Sequence, residues 1–180
     1  MIYGERIRFR HIERSDLPTF VRWFNDPEVR ENLSVYLPMS LVSEERWFEN
    51  RSQSHPDEQI FGIEVPEGDD WILIGNCSFF GFDRRVHSAE IGIVIGEKPY
   101  WNQGYGTEAI RLLLKHGFET LNLNRIQLVV YETNPRAIRT YEKAGFVHEG
   151  RMRQAQYKNG AYLDVMIMSV LRLEWNETQA

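Results

Sequence analysis

The sequence predicts an α+β fold in which a mixed, mostly antiparallel sheet of about seven strands is flanked by about four helices. Segments with the two-residue alternation of strands are interspersed with amphipathic segments of helical period. One strand–helix–strand passage, from Ala89–Ile95 to Ile126–Tyr131, predicts a parallel pair joined by a right-handed crossover. The length of 180 residues, without repeats or a linker, predicts a single domain over residues 1–180.

The first half of the chain is predicted to contain two helices and four strands. Arg6–Ile12 alternates like a strand. Ser15 and Asp16 are typical helix caps, and the helix they begin should end near Phe24, ahead of Pro27. A second helix is expected over Glu44–Arg51, with Ser43 as its N-cap. The next strands are expected at Gln59–Val65, Trp71–Phe82 and Ala89–Ile95.

The second half contains the strongest helical pattern. Between about Thr107 and Leu121 the apolar residues share one helical face. They are Ile110, Leu113, Leu114, Gly117, Phe118 and Leu121. Asn134-Pro135 is predicted to open a further helix that Gly145 ends. A hairpin is expected last, with strands at Phe146–Arg153 and Tyr162–Leu171 and its turn at K-N-G.

Composition narrows the class of protein. The net charge of -5 argues against general nucleic-acid affinity and is compatible with cationic substrates. The single cysteine, Cys77, excludes an intramolecular disulfide, and its strand-like setting predicts a packing role. No apolar run reaches the roughly 20 residues of a membrane span, and the charged start is unlike a secretory signal. We therefore expect a cytoplasmic protein with no membrane or nucleic-acid partner.

A glycine-containing loop precedes the strongest helix. Gly104 and Gly106 lie immediately before its apolar face, in W-N-Q-G-Y-G-T-E-A. A helix start offers free backbone N–H groups and a positive dipole end, which together suit a phosphate or pyrophosphate. Glycine lets the backbone approach such an anion closely because it has no Cβ. The loop therefore predicts an anionic cofactor, although a tight turn without a ligand would need the same glycines.

A dinucleotide-binding module is a competing interpretation of this loop. G-Y-G-T-E-A satisfies G-x-G-x-x-A, and Glu132 follows the next strand, where a ribose-binding acid is found in such modules. In those modules, however, the loop follows its strand almost at once. Seven residues separate Gly96 from Gly104 here, and antiparallel-looking strands lie on both sides of the single βαβ unit. The spacing therefore argues against a nicotinamide site.

Three further side chains are candidates for chemistry. Asn134 and Tyr141 follow the strand after the glycine loop, at the end of a parallel strand where open sheets bind ligands. By pattern alone Asn134 is equally a helix cap and Tyr141 a core aromatic. Glu90 opens a mostly apolar strand, which suits either proton abstraction or an ordinary rim ion pair. Arg84 and Arg85 would be the partners of such a rim ion pair.

No metal site or hydrolase triad is predicted. The five histidines have no zinc-like spacing with one another or with Cys77. They are His11, His55, His87, His116 and His148. The nucleophile-elbow pattern G-x-S-x-G is also missing from the sequence.

Together these segments resemble the GNAT superfamily of acetyl-CoA-dependent N-acetyltransferases. Within it the chain is most similar to the branch of ribosomal-protein alanine and spermidine N-acetyltransferases. The resemblance rests on N-P-R-A-I-R-T-Y-E-K-A-G-F, on Y-K-N-G-A-Y-L-D and on the start G-E-R-I-R-F-R-H-I-E-R-S-D-L. The superfamily motif has Gln or Arg three residues before the first glycine, whereas this chain has Trp101. The resemblance implies a GNAT-like sheet whose parallel βαβ unit lies at the cofactor site.

The resemblance also implies residue roles. Acetyl-CoA would be the cosubstrate, and no metal would be needed. Its pantetheine would pair with Ile93, Val94 and Ile95. Its pyrophosphate would meet the amides of Gln103, Gly104, Tyr105, Gly106 and Thr107. Asn134 would bind the pantetheine arm, Glu90 would be the base and Tyr141 the acid.

The acceptor is expected to be a primary amine, either a protein N-terminus or a small amine. Polyamines and amino-sugars are alternatives, and the sequence leaves homo-oligomerisation open. A non-catalytic acyl-CoA-binding module of the same fold is the rival function. Retention of both Glu90 and Tyr141 favours catalysis, because a binder needs neither. In the superfamily the acceptor site is roofed by the segment holding Asp26, Glu28, Leu33, Tyr36 and Leu37.

Overall fold

The computed structural model describes residues 1–52, 55–58 and 60–179. The strands are β1 (Ile2–Tyr3), β2 (Arg8–His11), β3 (Ile60–Glu67), β4 (Asp70–Asp83), β5 (Ser88–Ile95), β6 (Arg125–Tyr131), β7 (Val147–Lys158) and β8 (Ala161–Leu171). The α-helices are α1 (Leu17–Asn25), α2 (Pro27–Arg30), α3 (Leu41–Ser52), α4 (Tyr105–Lys115), α5 (Pro135–Lys143) and α6 (Arg172–Gln179). These elements confirm the predicted α+β class.

The strands form one mixed sheet in the order β1-β2-β3-β4-β5-β6-β8-β7. β5 and β6 are parallel, with Ser88–Glu90 opposite Arg125–Gln127, and α4 lies in the connection between them. The pairs β1–β2, β2–β3, β3–β4, β6–β8 and β7–β8 are antiparallel. The predicted βαβ unit within a mostly antiparallel sheet is therefore confirmed, with eight strands rather than about seven.

The chain forms two compact units. The first comprises residues 1–78 and 93–106, and the second comprises residues 79–92 and 107–180. In the first unit, Leu17, Phe20 and Trp23 bury the apolar face of α1, and Val29 of α2 joins them. A Cβ at Gly96 would lie 2.0 Å from the Trp23 ring, so glycine is required for this packing.

The second unit is built on the buried face of α4. Ala109, Ile110, Leu112, Leu113 and Leu114 are buried along it. After Lys115 the backbone continues as one π-helical segment, His116–Thr120, so the predicted α-helix ends earlier than Leu121. A Cβ at Gly117 would lie 2.6 Å from the Ile126 side chain. Glycine there lets the helix pack directly on the sheet.

The final hairpin confirms the turn predicted at K-N-G. Tyr157 pairs with Tyr162, and their ring centroids are 5.0 Å apart. Asn159 and Gly160 have φ values of 50° and 82°, which a two-residue turn of the type I′ class requires.

Several predicted boundaries differ from the structure. The strand predicted over Arg6–Ile12 contains only β2, because the chain turns back after β1. Ser43 was predicted as the N-cap of α3, but the helix begins at Leu41, and the Ser40 hydroxyl accepts a 3.1 Å hydrogen bond from the Ser43 amide. Gln59, where the strand observed as β3 was predicted to begin, lies outside the described residues. The short elements β1, α2 and α6 were not predicted from the sequence.

Across the described residues, none of the helices combines the length and the apolar character that crossing a membrane requires. Cys77 is buried in β4, as its strand-like setting predicts. The single-domain organisation and the cytoplasmic location stay predictions.

Candidate active site

The glycine loop lies in the first unit and ends at the start of α4. Gly104 has a φ of +86°, in the left-handed region that favours glycine. α4 begins at Tyr105, so the amides of its first turn have no acceptor within the helix. These amides and the helix dipole are the groups to which the sequence-based prediction assigns anion binding.

Arg6, from the turn between β1 and β2, contacts this loop, and sequence reasoning did not find it. Its Nη1 donates a 3.2 Å hydrogen bond to the carbonyl oxygen of Gln103. Its guanidinium carbon lies 4.7 Å from the centre of the Tyr105 ring. A Cβ at Gly104 would lie 3.2 Å from its Nη2. Arg6 and Gln103 lie 97 positions apart in the chain, so no local pattern could have indicated the contact.

Trp101 occupies the position at which the superfamily motif has Gln or Arg. Its indole Nε1 donates a 2.7 Å hydrogen bond to the carbonyl oxygen of Ile95. The half-buried ring packs on the cluster of Leu17, Phe20 and Trp23. Trp101 therefore fixes the glycine loop to the end of β5.

The turn after β5 contacts the segment that is predicted to cover the acceptor site, which begins at Asp26. Glu97 pairs with Arg22 and accepts a 2.9 Å hydrogen bond from the Trp23 indole. Lys98 Nζ lies 2.8 Å from an Asp26 oxygen and 3.0 Å from a Glu28 oxygen. The hydrogen bond from Lys98 lowers the pKa of Asp26. Leu33 is half-buried, whereas Tyr36 and Leu37 are exposed.

Glu90 lies on β5 in the second unit, opposite Gln127 of β6, and is half-buried. Within residues 1–52, 55–58 and 60–179 its carboxylate forms no ion pair or side-chain hydrogen bond. Arg85 pairs instead with Asp83, and Arg84 lies over the Phe82 ring. The structure therefore does not show the alternative, an ion pair of Glu90 with Arg84 or Arg85.

Asn134 caps helix α5, as the sequence predicts. Its Oδ1 accepts a 3.1 Å hydrogen bond from the Ala137 amide at the start of α5. This bond engages the Oδ1 acceptor, whereas the Nδ2 group of an asparagine is a donor that capping does not use. The structural role and the proposed binding role are thus compatible.

Tyr141 is buried on α5 in the same unit as Glu90. Its ring centroid lies 5.8 Å from that of Phe146. Burial raises the pKa of Tyr141 to about 12, because the charged phenolate is disfavoured away from water. The phenol consequently keeps its proton at neutral pH and can serve as a donor.

Glu132 was the acid on which the dinucleotide interpretation depended. Its carboxylate accepts a 2.7 Å hydrogen bond from Arg151 Nη2 and a 3.1 Å bond from the Asp164 amide. Both partners belong to the β7–β8 hairpin. This engagement argues against a role in binding a ribose.

The described part of the chain contains neither a cluster of metal ligands nor a reactive thiol. No group of three His, Cys, Asp or Glu side chains there could hold a metal ion. Burial also raises the pKa of the Cys77 thiol, which keeps it protonated and unreactive.

Comparison with known proteins identifies the family of this chain. A sequence model of the acetyltransferase (GNAT) domain matches residues 6–147. The p20 N-acetyltransferase of Bacillus licheniformis is 32% identical over 177 residues, with 97% of each chain covered. A spermidine N(1)-acetyltransferase of Vibrio cholerae is 28% identical over 175 residues, with 96% of each chain covered.

A solved structure extends the comparison to three dimensions. The crystal structure of spermidine N-acetyltransferase from Vibrio cholerae in complex with CoA and spermine has a TM-score of 0.87 to this chain. The identity is 27%, and the match covers 95% of this chain and 98% of that one. The chain therefore belongs to the GNAT family and is an acetyltransferase that uses acetyl-CoA to acetylate an amine.

Proposed function

We propose that this enzyme transfers the acetyl group of acetyl-CoA directly to a primary amine, with Glu90 as base and Tyr141 as acid. The observation that carries the proposal is the buried, protonated phenol of Tyr141 in the unit that holds the half-buried Glu90 carboxylate. A module that only binds acyl-CoA would need neither group. No covalent acyl-enzyme forms, and Cys77 takes no part.

The first unit supplies most of the groups proposed to hold acetyl-CoA. Backbone groups of Ile93–Ile95 pair with the pantetheine amides, as an added strand would. The amides of residues 103–107 donate to the pyrophosphate, which the left-handed Gly104 supports by keeping the loop tight. Asn134 Nδ2 donates to the pantetheine arm while its Oδ1 caps α5.

Glu90 and Tyr141 would move the two protons of the reaction. Glu90, directly or through a water, removes a proton from the acceptor ammonium, so that the neutral nitrogen can attack the thioester carbon. At pH 7 this deprotonation costs about 4.6 kcal/mol for a lysine-like amine and about 1.1 kcal/mol for an α-amine. When the tetrahedral intermediate collapses and the C–S bond breaks, Tyr141 gives its phenolic proton to the departing thiolate. The nitrogen, now part of the amide, loses its second proton, which restores the phenol. The amide and free CoA are the products.

A polyamine is the specific acceptor that the comparisons favour, because several of the matched proteins carry the name spermidine N-acetyltransferase. The predicted acceptor segment holds Asp26 and Glu28, which suit a cationic acceptor. Both carboxylates already pair with Lys98, so a single ammonium compensates part of their charge. A protein N-terminus and an amino-sugar therefore stay as acceptors to be tested beside spermidine.

The proposal is tested by measuring thiol release from acetyl-CoA with a panel of amines. Spermidine, a peptide with an N-terminal alanine and glucosamine represent the three acceptor classes. We expect release with at least one of them to exceed the amine-free rate, and the acetylated amine to appear by mass spectrometry. Binding of CoA without thiol release for any acceptor would instead support the non-catalytic module.

A further inference from the structure

The ring of Phe80 lies on the face of the sheet from which the Glu90 side chain projects. A Cβ at Gly92 would lie 3.3 Å from Cε1 of this ring. Gly92 and Glu90 are two residues apart on β5, so their side-chain positions project from the same face. A side chain at residue 92 would compete with the ring for the same space. The glycine therefore lets Phe80 pack directly on the strand that carries Glu90.

A second glycine lies next to Glu90 on the neighbouring strand β4. Gly81 has a φ of +62° inside this strand, which is typical of a β-bulge. A Cβ at Gly81 would lie 3.9 Å from that of Glu90, so the two residues are neighbours on adjacent strands. Bulges occur next to active sites, where they change the direction of a side chain. Because residue 81 has no side chain, it leaves space for a ligand beside Glu90.

The arginine of the other neighbouring strand, β6, is engaged by groups other than Glu90. Gln127 lies opposite Glu90 and accepts a 3.1 Å hydrogen bond from Arg125. Arg125 also pairs with Glu149 and donates a 3.0 Å hydrogen bond to the Ser169 hydroxyl. The Glu90 carboxylate, which has no ion pair among the described residues, is therefore available to a positively charged ligand.

Phe80 offers a second group that attracts a cation. Its ring is half-buried, and among the described residues it has neither an aromatic nor a cationic partner. The face of a phenyl ring attracts an ammonium within about 6 Å of its centre, and the same face packs against methylene groups. A sugar hydroxyl placed against this ring would find no hydrogen-bond partner there. The pair of Glu90 and Phe80 therefore suits an ammonium group on an aliphatic chain.

We propose that Phe80 is an acceptor-binding residue that, together with Glu90, selects an aliphatic ammonium such as a primary amine of a polyamine. The inference rests on the proposed function, because it takes Glu90 as the group that the acceptor nitrogen approaches. Phe80 takes no part in proton transfer or in the binding of acetyl-CoA. Phe80, Gly81, Glu90 and Gly92 all belong to the second compact unit.

The test compares Phe80→Leu, Phe80→Tyr and a control, Phe82→Leu, with spermidine as the acceptor. Leucine keeps an apolar side chain without a π face, whereas tyrosine keeps the ring. In Phe80→Leu we expect KM for spermidine to rise about fivefold, the effect of one cation–π contact, while KM for acetyl-CoA stays within about twofold. Phe80→Tyr should show a smaller rise. The wild type should prefer spermidine to glucosamine and to a peptide with an N-terminal alanine.

Phe82→Leu controls for the loss of an aromatic ring from β4. Phe82 is also half-buried, but its ring packs on buried Phe79, with 6.2 Å between the ring centroids. This variant should keep the KM values of the wild type. If Phe80→Leu does not fold, Phe80→Ile takes its place, because a β-branched residue is favoured in a strand.

Three results would overturn the proposal. The first is a KM for spermidine in Phe80→Leu within twofold of the wild type. The second is an equal rise of KM for acetyl-CoA, or an equal effect of Phe82→Leu, since a general disturbance of the fold would change both substrates or both variants. The third is a preference of the wild type for the peptide or for glucosamine.

Failure of the proposed function would look different. In that case the wild type would acetylate no amine from acetyl-CoA. The inference on Phe80 would then be decided by calorimetric titration of the wild type and Phe80→Leu with spermidine in the presence of CoA. Weaker binding to the variant would support it. Equal affinities, or no binding to the wild type, would contradict it.

Discussion

The Trp101 indole donates a 2.7 Å hydrogen bond to the carbonyl oxygen of Ile95, which joins the glycine loop to the last residue of β5. Ile95 is also the last residue of the stretch proposed to pair with pantetheine. The carbonyl keeps a second lone pair, so the bond to Trp101 does not exclude a ligand. One bond thus connects the two backbone segments proposed to hold the cofactor.

Removing this bond should affect binding and stability together. Trp101→Phe keeps an aromatic ring against the Phe20 and Trp23 cluster but deletes the N–H donor. Beyond the loss that the smaller ring causes, we expect the free energy of unfolding to fall by about 1 kcal/mol, the usual contribution of one hydrogen bond. KM for acetyl-CoA should rise several-fold while kcat changes little. Urea unfolding and steady-state kinetics measure the two effects.

Trp47→Phe is the matched control for this variant. Trp47 packs on the same cluster, but its indole has no hydrogen bond among the described residues. It should lose stability only through the smaller ring and keep the KM of the wild type. If both variants raise KM equally, the effect comes from ring packing, and the hydrogen bond has no role in binding.

Gly106 should be essential for binding, whereas its backbone, which does not have a positive φ, can be adopted by other residues. In Gly106→Leu the new side chain stands at the second residue of α4, where the pyrophosphate is proposed to approach. Leucine favours helix by up to about 1 kcal/mol over glycine, so stability should be kept or raised. Calorimetry should show micromolar binding of acetyl-CoA and CoA to the wild type and none to the variant.

NADH provides the specificity control for the same titration. We expect no NADH binding, since Glu132 is engaged by Arg151 and the loop lacks the spacing of a dinucleotide site. Tight binding of NADH would contradict the acetyl-CoA assignment. Binding of acetyl-CoA by Gly106→Leu with unchanged affinity would show that the pyrophosphate lies elsewhere.

The sequence predicted the long elements well because their patterns are local. The apolar face of α4 and the K-N-G turn are each encoded within a few consecutive residues. The short helix α2 was missed because Asp26-Pro27 was interpreted only as the end of α1. In the structure Asp26 also accepts from the amides of Glu28 and Val29, and so begins the next helix.

Site residues could be predicted where a local sequence motif indicates them. They could not be predicted where only a long-range contact brings them to the site. Asn134 and Gly104 stand in recognisable local settings, and both adopt the local geometry those settings predict. The contact of Arg6 with Gln103 joins residues 97 positions apart, for which the sequence holds no local signal. The chemical roles of Glu90 and Tyr141 stay predictions that kinetics must decide.

Tyr141→Phe should lose turnover and keep donor affinity. The variant removes only the hydroxyl, and the remaining ring still packs on Phe146. A general acid contributes about 10²–10⁴-fold to rate, so kcat should fall by roughly that range. Tyr162→Phe, at an exposed position of β8, is the control and should keep the kcat of the wild type. A near-normal kcat in Tyr141→Phe would show that Tyr141 is only a core aromatic.

The raised pKa of Tyr141 gives an independent check on its burial. Below pH of about 10 the phenol is protonated in both folded and unfolded chains, so it makes no pH-dependent contribution. Above that pH the unfolded chain ionises first, because burial raises the folded pKa to about 12. The free energy of unfolding should therefore fall by about 2 kcal/mol more in the wild type than in Tyr141→Phe by pH of about 12. Parallel curves would mean that the phenol is accessible to water.

Glu90→Gln should lose activity near neutral pH and regain it as the pH rises. The amide cannot take a proton, but it preserves the size of a side chain that has no ion pair within the described residues. Below the pKa of the acceptor, each pH unit raises the neutral amine about tenfold without help from the enzyme. The ratio of wild-type to variant kcat/KM should therefore shrink with increasing pH. Glu119→Gln, an exposed residue of the same unit, is the control and should show a constant ratio near one.

The pH at which the deficit of Glu90→Gln disappears also identifies the acceptor. Recovery near pH of about 8 indicates an α-amine, whereas recovery only toward about 10 indicates a polyamine or lysine amine, because their pKa values differ by about 2.6 units. A deficit that stays constant from about pH 6.5 to 9.5 would contradict the role of base, since no proton would then be limiting. Glu90 would in that case position the acceptor or stabilise β5, and a backbone carbonyl acting through an ordered water would be the next group to test.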